Sequence, residues 1–207
     1  MRKRTVLPDE VLALLKVTQT DCYGHVRGFP YRLIAIPEEA SLYDLGHAIL
    51  SAFQFDRDHL FGFYNDLHDY SHSQEGYELS SGAGFMGSFP GVKRAKISKV
   101  FPEPKKKMLF VYDYGDEWRF IVQSKGRALP VEGLKYPVVI ESYGENPEQY
   151  PDDESCSSSP GPVVRGSGLA RQAAEAWQKK KAQEPAPPEK LPGPEDKYQK
   201  KIDEWLR

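Results

Sequence analysis

The chain has 207 residues, and 28 Lys and Arg against 30 Asp and Glu leave a formal net charge of −2. Hydrophobic residues make up only 39% of the chain while aromatic residues reach 12%, which predicts an aromatic-rich core diluted by a polar segment. No apolar run is long enough to cross a bilayer, no hydrophobic leader follows the basic start, and two cysteines are too few for a disulfide framework. These features predict a cytoplasmic protein that does not enter a membrane.

The composition changes near residue 150. Residues 151–207 hold eight of the 17 prolines and only six Val, Ile, Leu or Phe, too few to bury a core. We therefore predict one domain over residues 8–150 and a Pro/Ser-rich linker with a helical C-terminal arm over 151–207. Helix-forming composition in this arm lies at residues 167–183 and 194–207.

The domain opens with two apolar runs of strand length, over residues 11–18 and 30–36. Pro37 ends the second run. Ser41, followed three positions later by Asp44, is typical of a helix N-terminus with a capping box. The apolar residues that follow have the spacing of a helix with one buried face: Leu42, Leu45, Ile49 and Phe53.

Short apolar runs predict five more strands, over residues 59–64, 77–79, 108–112, 118–123 and 136–140. The third and fourth of these flank a Gly-containing turn at residues 113–117, which predicts a hairpin. The order strand, strand, helix and then further strands predicts an α+β fold. We expect a mixed, mainly antiparallel sheet with a helix packed on one face and a β-grasp-like opening.

One seven-residue stretch carries a family resemblance. Tyr112-Asp-Tyr-Gly-Asp-Glu-Trp118 resembles the YDFGDxW motif of the plasmid pRiA4b ORF-3-like family, and His59-Leu-x-x-Phe63 resembles that family's HLxxF strand. Gly144–Tyr150 is similar to its Pro- and Glu-rich closing segment, so the resemblance covers about residues 10–150. The family has no settled activity, and the resemblance therefore implies a shared α+β fold and no reaction.

This chain departs from the family pattern at two positions that matter for chemistry. Tyr31 stands where the family has a strand tryptophan, and Phe120 stands where a histidine often follows the hairpin tryptophan. The cysteines that are often present in the closing segment are also absent from residues 144–150. The resemblance therefore carries no metal-binding or catalytic role at these positions.

Asp113 and Asp116 lie three positions apart in the predicted turn. One hypothesis is that the two carboxylates converge with His59 in a hydrolase-like site, which makes these three the candidate catalytic residues. The alternative is structural, because Asp in a turn accepts backbone N–H groups and Gly115 supplies a positive φ angle. The structural interpretation is favoured, since two carboxylates alone fall short of a metal shell.

Two further patterns bear on cofactors. His68 and His72 have the spacing that places zinc ligands on one helix face, but the segment lacks apolar periodicity, so a polar loop is favoured over a metal site. Gly82, Gly84 and Gly87 match a dinucleotide-binding spacing without the required strand before and helix after them. We predict no cofactor.

The most informative charge pattern is a basic segment opposed by only one acid, Glu103, which gives it a net charge of about +6. Its basic residues are Lys93, Arg94, Lys96, Lys99, Lys105, Lys106 and Lys107. Such a segment could follow a phosphate backbone. The alternative, favoured by the overall pI near 6.2, is that it neutralises the acidic residues 141–154 or is simply solvated.

The leading prediction is a non-enzymatic binding or interaction module, in which exposed aromatic residues and the C-terminal arm contact a protein partner. The candidate binding aromatics are those of the motif: Tyr112, Tyr114 and Trp118. The first alternative is a nucleic-acid-associated accessory protein of mobile-element type that uses the basic segment. The second is the hydrolase-like enzyme described above.

Overall fold

The computed structural model describes residues 3–5, 7, 10–79 and 89–150, and the structural statements below concern these residues. The elements in chain order are β1 (Arg4–Thr5), β2 (Leu12–Thr20), β3 (Tyr31–Pro37), α1 (Leu42–Phe53), β4 (Phe61–Tyr64), β5 (Gly76–Glu78), α2 (Ile97–Val100), β6 (Lys107–Tyr112), β7 (Trp118–Ala128), β8 (Lys135–Tyr136) and β9 (Val138–Tyr143). A 3₁₀ turn, Tyr70–His72, lies between β4 and β5. The fold is α+β, as predicted, and its sheet outweighs its helices.

Seven strands form one sheet in the order β5-β4-β6-β7-β2-β3-β9, and β1 pairs with β8 in a separate two-stranded ribbon. The sheet is more uniform than the predicted mixed sheet, because every pair of named strands is antiparallel. Short connections join β2 to β3 and β6 to β7, and a short connection between neighbouring strands permits only antiparallel pairing. Among the described residues, the parallel contact is one isolated bridge between Glu78 and Gly91.

Helix α1 begins at the predicted position. The Ser41 hydroxyl accepts the backbone N–H of Asp44, and the Asp44 carboxylate accepts the backbone N–H of Ser41, so the capping box is complete. All four predicted apolar positions of the helix are buried: Leu42, Leu45, Ile49 and Phe53. The helix therefore covers one face of the sheet with the face that its periodicity indicated.

The main core between α1 and the sheet is rich in aromatic rings, which accounts for their high share in the sequence. Phe53 and Phe120 have ring centroids 4.8 Å apart, and Phe63 and Phe110 are 4.9 Å apart. Tilted and edge-on pairs of this kind stabilise by roughly 0.5–1.5 kcal/mol beyond the area that they bury. The strands that carry these rings are therefore held in a fixed relation to the helix.

The opposite face of the sheet holds a smaller cluster around Tyr64. Its hydroxyl donates to the buried Glu78 carboxylate at 2.9 Å and lies 2.7 Å from the Tyr114 hydroxyl. A Cβ atom on Gly62 would come within 2.7 Å of both hydroxyls, so glycine at this position leaves room for the pair. Burial raises the pKa of Tyr64, and burial near Glu78 raises that of Tyr114 to about 12.

Two sequence predictions lie outside the described residues. The C-terminal arm and its linker occupy residues 151–207, and the glycine-rich stretch at Gly82–Gly87 also lies in an undescribed range. The division of the chain at residue 150 accordingly stays a prediction.

The contact between α1 and β4 gives a stability prediction. A Cβ atom on Gly46 would lie 2.6 Å from the Phe61 ring. This ring is buried and packs against Phe63 and Phe110, so it cannot move aside without disturbing them. Replacing Gly46 with Ala gains about 1 kcal/mol of helix propensity but overpacks the core at a cost of about 1–3 kcal/mol. We expect a net loss in the free energy of unfolding, measured by urea denaturation.

The matched control is Ser51→Ala, at an exposed position of the same helix. The Ser51 hydroxyl donates to the His47 carbonyl and accepts from Arg57 at the surface. Alanine removes these exposed bonds but has the higher helix propensity, so the free energy of unfolding should change by less than about 1 kcal/mol. A Gly46→Ala variant as stable as the original protein would show that the helix shifts away from β4 without cost.

Candidate functional site

The loop between β6 and β7, residues 113–117, contains two of the three candidate catalytic residues, Asp113 and Asp116. Asp113 and Glu117 both have positive φ angles, 55° and 53°. The Asp113 carboxylate accepts the Gly115 N–H at 2.9 Å, and the Asp113 carbonyl accepts the Glu117 N–H at 2.6 Å. The hairpin and the turn role of Asp113 are therefore as predicted.

The reason for glycine at position 115 differs from the prediction. Gly115 does not supply a positive φ angle, since the left-handed positions of the loop are Asp113 and Glu117. A Cβ atom on Gly115 would instead lie 3.2 Å from the Asp113 carboxylate oxygen that its own N–H binds. Glycine is favoured here because the carboxylate folds closely over the backbone of the turn and would have to move by a few tenths of an ångström for a Cβ atom.

The three candidate catalytic residues are only partly brought together. The His59 Nε2 atom lies 3.3 Å from the Asp113 carboxylate and 3.7 Å from that of Asp58. Asp113 is buried, whereas Asp116 is exposed and lines a neighbouring cleft that neither His59 nor Asp113 lines. The pair His59–Asp113 is thus formed, and Asp116 is separate from it.

Asp58 is a member of this neighbourhood that the sequence did not indicate. Its carboxylate accepts the Tyr112 hydroxyl at 2.8 Å and the Tyr150 hydroxyl at 3.1 Å. The Tyr112 hydrogen bond is the main cause that lowers the pKa of Asp58, and burial together with Asp58 raises the pKa of Tyr112 to about 12. Tyr112 is fully buried, so its hydroxyl holds Asp58 in place within the domain.

The closing segment, residues 144–150, is attached to the rest of the domain by two buried polar side chains. The Arg32 guanidinium donates to the Tyr143 carbonyl at 2.8 Å and to the side chain of Asn146. The Gln149 side chain accepts the Asp56 N–H at 2.6 Å. The closing segment therefore returns past the end of α1 and places Tyr150 beside the β6–β7 loop.

A cleft of about 810 Å³ opens where these parts meet, and we call it the hairpin cleft. Because Thr20 pairs with Arg119, the end of β2 and the start of β7 form one wall. The β6–β7 loop and the closing segment form the others. Its lining residues are Gln19, Thr20, Asp21, Cys22, Phe29, Gly115, Asp116, Glu117, Trp118, Arg119, Gln149 and Tyr150.

Trp118 is the one predicted binding aromatic that reaches the hairpin cleft. Its ring packs edge-on against Phe55 with centroids 4.8 Å apart, and its indole N–H has no acceptor among the described residues. Packing rather than hydrogen bonding therefore fixes the indole. Tyr114 lies instead in the cluster around Tyr64, and Tyr112 is buried.

Arg119 and Glu117 form an ion pair at one edge of the cleft. The Arg119 guanidinium donates to Glu117 at 2.5 Å and to the His68 carbonyl at 2.8 Å. The Tyr70 hydroxyl donates to the other Glu117 oxygen at 3.0 Å. The hydrogen bond from Arg119, with help from Tyr70, lowers the pKa of the Glu117 carboxyl.

The two histidines with zinc-ligand spacing, His68 and His72, have separate partners. The His68 ring contacts the Tyr23 carbonyl at 3.1 Å, and the His72 ring lies 3.4 Å from Asp69. The segment is a loop with a 3₁₀ turn, so the one-face arrangement of a helix is not formed. Across residues 10–79 and 89–150, no three His, Cys, Asp or Glu side chains form a group that could hold a metal ion.

The basic segment forms a turn, the short helix α2 and the start of β6. Lys106 pairs with Glu75 at 2.7 Å, Lys96 donates to the Glu39 carbonyl at 2.6 Å, and Lys93 lies 5.3 Å above the Tyr43 ring. No ion pair of the described part of the chain joins the basic segment to acidic residues 141–150. The remaining members are exposed, and their side chains have no hydrogen bond or ion pair among the described residues: Arg94, Lys99, Lys105 and Lys107.

Comparisons with known proteins bear on the fold and the family. A family model described as plasmid pRiA4b ORF-3-like protein matches residues 28–154, beginning later than the expected start near residue 10. The crystal structure of a protein of unknown function from Methanosarcina mazei Go1 aligns with a TM-score of 0.53 at 22% identity, over 66% of this chain and 71% of that chain. At this identity the likeness establishes the fold alone.

The search of curated proteins found no match. In the described residues no helix has the length and apolarity of a membrane span.

The different positions of the two aspartates predict different effects on stability. Asp113→Ala removes the acceptor of the Gly115 N–H and leaves alanine in a left-handed conformation, so we expect a loss of about 1–3 kcal/mol in the free energy of unfolding. Asp116→Ala should change it by less than about 0.5 kcal/mol, because the side chain is exposed. Urea denaturation measures both. Equal losses would contradict the structural assignment of Asp113.

The Glu117–Arg119 pair predicts a pH dependence. Because the folded-state pKa of Glu117 is lowered, its stabilisation is present above the unfolded pKa and is lost as pH falls through the folded pKa. Glu117→Gln should therefore be less stable than the original protein near pH 7, and the difference should shrink toward about pH 3. Glu132→Gln, at an exposed acid without an ion pair in the described ranges, is the control. A difference that stays constant between these pH values would contradict the prediction.

Proposed function

The chain belongs to the plasmid pRiA4b ORF-3-like family, and we propose that it is a non-enzymatic binding module that holds a segment of a protein partner in the hairpin cleft. The observation that carries this proposal is the cleft itself, which offers aromatic and acidic side chains to solvent. Its volume of about 810 Å³ lies within the range of ligand sites.

The aromatic lining supports a binding role. Trp118 is fixed by Phe55, whereas Tyr150 is 50% exposed and its hydroxyl is bonded to Asp58 and Gln149. Trp and Tyr dominate the energetic centres of protein interfaces, since they bury a large area with few rotatable bonds. A fixed indole and an exposed phenol that line one cleft are suitable anchors for a partner side chain.

The hydrolase-like alternative receives less support. The Asp113 carboxylate already has two contacts, one with the Gly115 N–H inside the turn and one with the His59 ring from the segment before β4. Asp116 faces the hairpin cleft without either of these residues. A catalytic acid–base pair has to reach the same reacting group, and these three side chains do not line one cavity.

Nucleic-acid binding through the basic segment is the second candidate, favoured by four exposed cationic side chains that have no partner within the described residues. Two observations weigh against it. Lys96 and Lys106 are engaged within the domain, and the neighbouring rings of Phe101 and Phe110 are fully buried, so they offer no face for stacking on bases.

A random-peptide display library selected against the full-length protein tests the proposal. Enriched peptides should lose about tenfold or more in affinity for Tyr150→Ala, because an aromatic anchor is removed from the cleft. Tyr23→Ala is the matched control, since Tyr23 is 71% exposed and does not line the cleft. Fluorescence polarisation of labelled peptides gives the affinities.

Two outcomes would contradict the proposal. One is the absence of any peptide whose binding depends on Tyr150. The other is steeply salt-dependent binding of nucleic-acid probes by the same protein, lost when Lys99 and Lys107 are replaced with Gln, which would favour the accessory-factor alternative.

A further inference from the structure

The charged side chains of the hairpin cleft are mostly acidic. Its lining contains Asp21, Asp116 and Glu117, against one basic residue, Arg119. A cleft with an excess of one sign of charge between low-dielectric walls attracts ligands of the opposite sign. A ligand can pair only with a charge that the domain itself leaves without a partner.

Three of the four charges are already used within the domain. Arg119 and Glu117 neutralise each other at 2.5 Å, and the second Glu117 oxygen accepts the Tyr70 hydroxyl. The Asp21 carboxylate accepts the backbone N–H groups of Tyr23 and His25, and its other oxygen lies 2.8 Å from the His25 ring. These groups leave little hydrogen-bonding capacity for a ligand.

Asp116 is the available anion. It is exposed, it lines the cleft, and it has no hydrogen bond or ion pair in the described part of the chain. The turn does not need its side chain, because the contacts of the loop come from Asp113. A solvent-facing carboxylate beside Trp118 is therefore positioned for an external cation.

Aromatic side chains line the same cleft as this carboxylate. Trp118, Tyr150 and Phe29 all line the same cleft, and all three are at least partly accessible. A cation that lies against an aromatic face gains about 0.5–2 kcal/mol. Guanidinium groups are planar, more weakly hydrated than ammonium groups, and bind a carboxylate with two hydrogen bonds, so arginine suits this combination better than lysine.

We infer that the hairpin cleft recognises an arginine side chain of the partner, which stacks on the aromatic lining and pairs with Asp116. This inference rests on the proposed function and names its ligand chemistry. The Glu117–Arg119 pair then acts as a neutral edge of the site, and the partner segment is basic rather than acidic.

The test uses ¹⁵N-labelled full-length protein and two small probes, N-acetylarginine methylamide and its uncharged citrulline counterpart. The chain has three tryptophans, and Trp118→Phe identifies the indole signal of Trp118. The arginine probe should shift this signal saturably, and the citrulline probe should shift it far less. Asp116→Asn should weaken the arginine probe by about threefold, as expected for an exposed ion pair, and Glu132→Gln should not.

The outcomes separate this inference from the proposed function. Equal response to both probes, no response to the arginine probe, or an unchanged affinity in Asp116→Asn overturns the arginine assignment. If library peptides still bind in a Tyr150-dependent way, the binding module stands with a different ligand chemistry. If no peptide depends on Tyr150 either, the proposed function also falls.

Discussion

The close packing of the Asp113 carboxylate over its own turn is the constraint on which the rest of the site depends. It fixes the Gly115 backbone, and the left-handed conformations of Asp113 and Glu117 then reverse the chain between β6 and β7. This geometry determines which way the side chains of the loop face. Asp116 is turned to solvent, and Trp118 begins β7 with its ring against Phe55.

The closing segment, which forms one wall of the hairpin cleft, is held in place by the buried guanidinium group of Arg32. Arg32 is 5% exposed, and its guanidinium is surrounded by oxygen atoms of Tyr31, Ala52, Tyr143 and Asn146 rather than by a carboxylate. Burial lowers its pKa, yet arginine keeps its proton, so these acceptors have to remain in place. The closing segment that carries Gln149 and Tyr150 is thereby held beside the sheet.

The sequence motif located the site in the fold, but it identified few of the residues that line the cleft. The motif from Tyr112 to Trp118 correctly located the loop, but only Asp116 and Trp118 of the named candidates line the cleft. Asp58, Gln149 and Tyr150 were not among the candidate site residues, since they lie far along the chain from the residues that they contact. The glycine of the turn was expected for its φ angle and is present for its lack of a side chain.

The sequence by itself determined the local elements: the α1 capping box, the apolar face of that helix, the strand runs and the β6–β7 hairpin. These features depend on neighbouring residues, so periodicity and turn chemistry suffice to predict them. Only the tertiary structure decided that His59 meets Asp113, that Asp116 stands apart, and that Tyr150 completes the cleft. Such contacts join residues separated by up to about a hundred positions, and they follow from strand order and buried polar anchoring, which no local pattern encodes.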